Sequence, residues 1–211
     1  MQKQKKTKTV LATALIGVAW IGAVGFGLRT LLNYESSPGR VGSVPKSWPA
    51  DSAIQLVDDR YTLVMLAHPR CPCTRASMDE LAQVMARTRG RVSAYVLFYT
   101  PQNSGTDWKN TDLRRTAAQI PGVTVLSDLD GAEARRFGAE TSGHTFLFDS
   151  AGRLLFNGGI TQSRGHSGEN AGENAIVSLV NDHVSQRLET FVFGCSLRNQ
   201  RKTGTDLTCL K

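Results

Sequence analysis

Leu63-Val64-Met65-Leu66-Ala67-His68-Pro69-Arg70-Cys71-Pro72-Cys73 is the stretch on which the reading of this chain turns. An aliphatic run stops at Pro69, and two cysteines follow with only Pro72 between them. Tyr61 to Ala67 is almost continuously apolar, which predicts a central strand covered on both faces. Past the cysteines, Met78, Leu81, Ala82, Val84 and Met85 recur at helical spacing, so residues 74–88 are expected to form a helix. Two helix starts are open. The pattern Ser77-x-x-Glu80 matches a capping box and would start the regular helix near Met78, whereas Pro72 suits a first helical turn. A strand that hands a close cysteine pair to a helix entrance suits thiol chemistry. The helix N-terminus carries partial positive charge and unpaired N–H groups, and both favour the reactive thiolate.

Working outward, Ile54 to Val57 is a short strand candidate, and a strand is expected over Arg91 to Thr100, centred on Ala94 to Tyr99. A helix over 111–119 ends at Pro121-Gly122, and Val123 to Leu126 is the next strand. A short helix follows over 130–137. His144 to Asp149 and Arg153 to Phe156 flank Ser150-Ala151-Gly152 and predict a β-hairpin. Residues 172–188 close with a helix, with His183 at its rim. Alternation of this kind implies an α/β layered domain with a mixed sheet.

The 211-residue chain has a formal charge of +7, but the excess is terminal. Lys3, Lys5, Lys6, Lys8 and Arg29 precede any acidic residue, and from residue 30 onward 20 basic residues face 18 acidic ones. No basic stripe with interleaved aromatics remains, which argues against a nucleic-acid partner. No Gly-rich phosphate loop and no Cys-x-x-Cys-His haem motif occurs. The 20 residues from Thr9 to Leu28 carry no charge and, at about 1.5 Å per residue, just cross a hydrocarbon core of roughly 30 Å. A cleaved signal peptide would have an apolar core of roughly 7–15 residues before its cleavage site. This run is longer, and Ala23-Val24-Gly25 lies within it. The reading is therefore a basic cytoplasmic segment 1–8, a transmembrane anchor over 9–32 in contact with the lipid bilayer, and a linker or extended lead-in over 33–50. The positive-inside rule keeps the N-terminus in the cytoplasm. The domain over 51–188 and a tail over 189–211 then lie in the periplasm or an equivalent space, where disulfides persist.

The strand-end cysteine pair, the segment His144-Thr145-Phe146-Leu147-Phe148-Asp149 with Ala151-Gly152-Arg153, and the final helix resemble the thioredoxin superfamily. More narrowly, HPRCPCTRASMDEL with GGITQSRGHSGEN resembles the RedB-type, membrane-anchored extracytoplasmic thioredoxin-like proteins. The resemblance covers roughly residues 50–188. It implies a three-layer sandwich with a mixed central sheet and thiol–disulfide exchange with protein partners, with no cofactor. Cys71 would be the nucleophile and Cys73 the resolving thiol. Two departures stand out. The usual Cys-x-x-Cys is here Cys71-Pro72-Cys73, and the position of the superfamily's cis-proline is Gly143 followed by His144. The second departure predicts that His144 sits opposite Cys71 and Cys73. His68 and Arg70 are candidates for lowering a thiol pKa through nearby positive charge. In this fold the loop Arg164 to Asn170 approaches the active edge. Arg164 and His166 are its candidate contacts, and the plainer reading is a turn with Ser167 or Asn170 capping a helix.

The second functional reading is a copper or other soft-metal carrier using His68, Cys71, Cys73 and His144. A peroxidase-like site lacks the expected Thr-x-x-Cys arrangement. Cys195 and Cys209 lie 14 positions apart in the tail and most simply form a structural disulfide, which would contribute about 3 kcal/mol if unstrained. The alternative is that Cys195 exchanges with the active pair.

Overall fold

The computed structural model describes residues 2–185 and 187–198. Helix α1 runs over Gln2–Ser36. Its segment Thr9–Ser36 has a mean hydropathy of 2.0 and is the one described helix long and apolar enough to cross a membrane. Residues up to Ser37 make one unit, which holds helix α1, and those from Pro38 make a second.

The second unit is built on a five-stranded sheet in the order β3-β2-β1-β4-β5. Strand β1 (Tyr61–Ala67) lies at its centre, pairing in parallel with β2 (Val92–Thr100) and antiparallel with β4 (His144–Phe148). Strand β3 (Val123–Leu129) pairs in parallel with β2, and β5 (Leu154–Gly158) closes the hairpin with β4. Leu63 to Ala67 have no solvent exposure, as a strand flanked on both edges and covered on both faces requires.

Side-chain alternation divides the core. Leu63, Met65, Phe98 and Leu147 face helices α2 (Cys73–Arg87), α3 (Asp112–Ala118) and α5 (Ala171–Asp182). Met78, Leu81 and Val84 of α2 and Ile176 and Val180 of α5 complete that layer. Burial of each large side chain is worth about 1.5–3 kcal/mol. Val64, Leu66, Leu97, Phe146 and Phe148 face the other way, toward α4 (Ala132–Arg136) and Phe137. The result is the thioredoxin-like three-layer sandwich expected.

Ile54 to Val57 and the segment past α5 differ from expectation, and residues 38–50 take the form of the extended lead-in. Ile54 to Val57 is not a strand; Ser52 Oγ and the Ala53 N–H donate to the buried Glu133 carboxylate at 2.7 and 3.0 Å, and Ile54 enters the second core layer. Residues 38–50 lie on the domain. The Trp48 N–H donates to Gly152 O at 2.7 Å, and its ring meets Phe137 and Phe148 edge-on at 5.4 and 5.1 Å. The segment past α5 is also part of the fold. Asn157 bridges to Glu189, Thr141 bridges to Ser196, and Val192 and Leu197 are buried.

Candidate functional site

The β1 strand ends at Ala67 and the chain turns through His68 to Pro72 into α2. Pro72 is the N-cap residue, with φ −63° and ψ −31°, so the first-turn reading of the proline holds and the capping-box start near Met78 does not. Ser77 and Glu80 instead lie buried inside the helix. Glu80 accepts from the Gly168 N–H at 2.6 Å and from Asn170 Nδ2 at 3.1 Å, which fastens the Arg164–Asn170 loop to α2. Asn170 also caps α5 by accepting from the Glu173 N–H at 2.9 Å, the plainer role foreseen for it.

Cys71 and Cys73 are free thiols at this entrance, and Cys195 joins them. The three sulfurs lie within 4.8 Å of one another. Cys71 has no exposed surface, and Cys73 and Cys195 are each 8% exposed. The tail is what covers Cys71. It runs antiparallel to the loop before β4, with the Ser142 N–H donating to Cys195 O and the Leu197 N–H to Glu140 O, both at 2.8 Å. Gly194 is required there, because a Cβ on it would lie 2.0 Å from Ser142 O. Arg164 donates to Gly194 O from the other side.

The electrostatics favour a Cys71 thiolate. The Cys73 thiol donates to it, as do the Thr74 hydroxyl and the Cys195 and Thr74 N–H groups, and these outweigh burial to bring it down to about 5. Cys73 is pushed strongly up, first by that same donation and then by burial and the Cys71 charge, with Arg164 opposing. The proton of this coupled pair therefore stays on Cys73. The Thr74 hydroxyl is oriented by a chain. The His68 N–H donates to Ser142 Oγ at 2.7 Å, and Ser142 Oγ meets Thr74 Oγ1 at 2.7 Å; with the Thr74 hydrogen given to Cys71, Ser142 is the donor of that second bond. Thr74 and Ser142 escaped the sequence reading. Only their places, one residue after Cys73 and one before Gly143, signalled them.

The sequence expected positive charge from His68 and Arg70. Burial, then the Arg70 charge, lowers His68 to about 4, so it is neutral at pH 7. Its Nδ1 accepts from the Arg70 N–H at 3.2 Å, and its ring stacks on Tyr99. The Arg70 guanidinium is engaged by Asp107 and sits 4.4 Å from the centre of the Trp108 ring. His144 does not face the cysteines. Strand alternation turns Gly143, φ 89°, toward α2, where a Cβ would meet Ser77 Oγ at 2.9 Å. His144 points to the opposite layer, 4.2 Å from the Phe146 ring. Burial lowers it to about 4, weakly opposed by Asn157, and neither ring nitrogen makes a hydrogen bond of good geometry among the described residues. The ligand set His68, Cys71, Cys73 and His144 is thus not assembled; the three sulfurs are what the fold gathers. His166 is exposed, its Nδ1 2.9 Å from Arg164 O. Cys195 is held in a disulfide, and Cys209 lies outside the described residues.

Fold and site together define a thioredoxin-like domain with a Cys-Pro-Cys pair at the strand-to-helix junction. No protein-family model and no curated protein matches the chain. Among solved structures, it is similar to a hypothetical protein of Sinorhizobium meliloti 1021, at 19% identity and a TM-score of 0.53 over 77% of this chain and 96% of that one. An uncharacterized conserved protein of Geobacillus kaustophilus gives 15% identity and a TM-score of 0.55 over 80% and 95%. A secreted disulfide oxidoreductase of Mycobacterium tuberculosis gives 13% identity and a TM-score of 0.41 over 59% and 83%. The first two likenesses are to the fold.

Proposed function

We propose that this chain is a membrane-tethered, extracytoplasmic thiol–disulfide exchange protein of the RedB-like kind acting on protein partners. The observation that carries the reading is the Cys71 sulfur at the entrance of α2, deprotonated by hydrogen bonds from Cys73, Thr74 and Cys195. The Cys71 thiolate attacks a partner disulfide, forming a mixed disulfide and releasing one partner thiolate. Cys73 then attacks Cys71, closing the pair and releasing the second partner sulfur. Because Cys71 is covered by residues 192–197, the tail must shift before a protein disulfide reaches it. Arg164, beside Cys73, steadies the resolving thiolate as it forms. Pro72 caps the helix entrance and His68 lies in the turn that leads to it.

The test is reduction of insulin disulfides by the full chain in detergent. Cys71→Ser should cut the rate by at least about a hundredfold, since the nucleophile is gone. An undiminished rate in that variant would sink the reading. A second reading rests on the clustering of three sulfurs within 4.8 Å, which after reduction of the Cys195 disulfide would suit Cu(I). One tightly held copper per fully reduced chain, lost in Cys71→Ser, would favour it.

A further inference from the structure

A disulfide that merely staples a tail is best kept away from reactive thiols, since a thiolate within reach will exchange with it. Here the opposite arrangement is built. The Cys195 sulfur, already in a disulfide, lies 2.8 Å from the sulfur of Cys71, closer than the separation of reacting atoms in a near-attack arrangement. The Cys195 N–H donates to that same sulfur at 3.4 Å. Three further contacts fix the approach. Ser142 holds the Cys195 carbonyl, Arg164 holds the Gly194 carbonyl, and Gly194 leaves room for the tail against Ser142. Cys71 has no exposed surface, so the disulfide sulfur of Cys195 is the electrophile it already touches.

We infer that Cys195 is a third redox cysteine, whose disulfide exchanges internally with Cys71 so that the tail relays electrons to and from the Cys71–Cys73 pair. In the forward step the Cys71 thiolate attacks Cys195 Sγ. A Cys71–Cys195 bond forms, the existing Cys195 disulfide breaks, and its other sulfur leaves as a thiolate. Cys73 then attacks Cys71 Sγ, the Cys71–Cys195 bond breaks, and the Cys73 proton passes to a released thiolate. The inner pair is oxidised by two electrons and the Cys195 disulfide is reduced by the same two, so no outside reagent is needed. Run in reverse, the inner pair regenerates the tail disulfide. The inference deepens the exchange reading and relies on it for the reactivity of Cys71.

The test traps the intermediate. Full-length Cys73→Ser protein in detergent is treated with graded dithiothreitol, blocked with iodoacetamide and mapped by mass spectrometry without further reduction. Without the resolving thiol, the peptide of Cys71 joined to that of Cys195 should rise at least about tenfold over wild type. If Ser at this buried position disturbs folding, Cys73→Ala repeats the trap. Full alkylation of Cys71 with Cys195 still in its original disulfide, at every dithiothreitol level and in both variants, overturns the relay. Loss of insulin reduction in Cys71→Ser without any joined peptide leaves outward exchange standing and removes the relay. Joined peptide without insulin reduction does the reverse.

Discussion

Thr74 and Ser142 show how hydroxyl groups can replace a cation beside a thiolate. Thr74 donates its single hydroxyl hydrogen to the Cys71 thiolate, so in its 2.7 Å bond with Ser142 the serine is the donor, and Ser142 Oγ in turn accepts from the His68 N–H. A hydrogen bond to a charged group is worth about 1.5–3 kcal/mol, so Thr74→Val should raise the midpoint of Cys71 ionisation by roughly one to two pH units. Thiolate absorbance near 240 nm reads this directly. An unchanged midpoint would place the stabilisation elsewhere. In wild type, with Cys71 at about 5, the exchange rate should hold from pH 8 to 6 and fall as the pH drops through 5. The Cys71, Pro72 and Cys73 spacing made the pair legible in the sequence. The charge state was not legible, because His68 looked like a cation and is a buried neutral ring.

At the scale of elements, β1, α2 and the β4–β5 hairpin follow from local patterns: unbroken apolar residues in β1, helical spacing in α2, and the Gly-bearing turn at 150–152. The tail does not. Phe191-Val192-Phe193-Gly194 reads as an ordinary apolar stretch, and only its bonds to residues 140–142 turn it into a cover over Cys71. Gly194→Ala should pry that cover loose, since its Cβ would meet a carbonyl oxygen at 2.0 Å. The expected result is a stability loss of about 1–3 kcal/mol and markedly faster alkylation of Cys71 by iodoacetamide, followed by mass spectrometry. Alkylation at the wild-type rate would mean that the tail does not guard the sulfur. The failed expectation for His144 is also an element-scale matter. A one-residue step in a strand reverses the face a side chain meets, and the residue facing α2 is Gly143.

For the molecule as a whole, two buried histidines set a pH limit. Both His68 and His144 are lowered to about 4 from an ordinary value of 6.5. The unfolded chain therefore takes up protons first as the pH falls. The histidine share of the stability is whole above pH 6.5, declines between 6.5 and 4, and levels off below, at a cost of roughly 3 kcal/mol for the fully buried His144; the Cys71 thiolate, brought down from 9.0 to about 5, adds a loss that runs from pH 9 to 5. Guanidinium unfolding at pH 7.5 and 4.5 measures the sum, and His144→Leu should flatten the difference by about a third. An equal loss in the variant would remove His144 from the account. The proposed membrane anchor gives another whole-molecule expectation. With Lys3, Lys5, Lys6 and Lys8 ahead of it, the domain should be digested by protease added outside intact cells stripped of their outer layers, and protection would reverse the proposed orientation.

The sequence alone determined what depends on neighbours along the chain: an uncharged run long enough to span a bilayer, the order of strands and helices, and two cysteines one proline apart. Only the tertiary structure decided what depends on distant segments meeting. Residue 195 reaches Cys71 and residue 142 reaches its partner Thr74 from far along the chain, and these contacts decide that the Cys71 sulfur is ionised, covered and set against a disulfide. Periodicity reports which face of an element is apolar, but not which remote backbone will lie across its end.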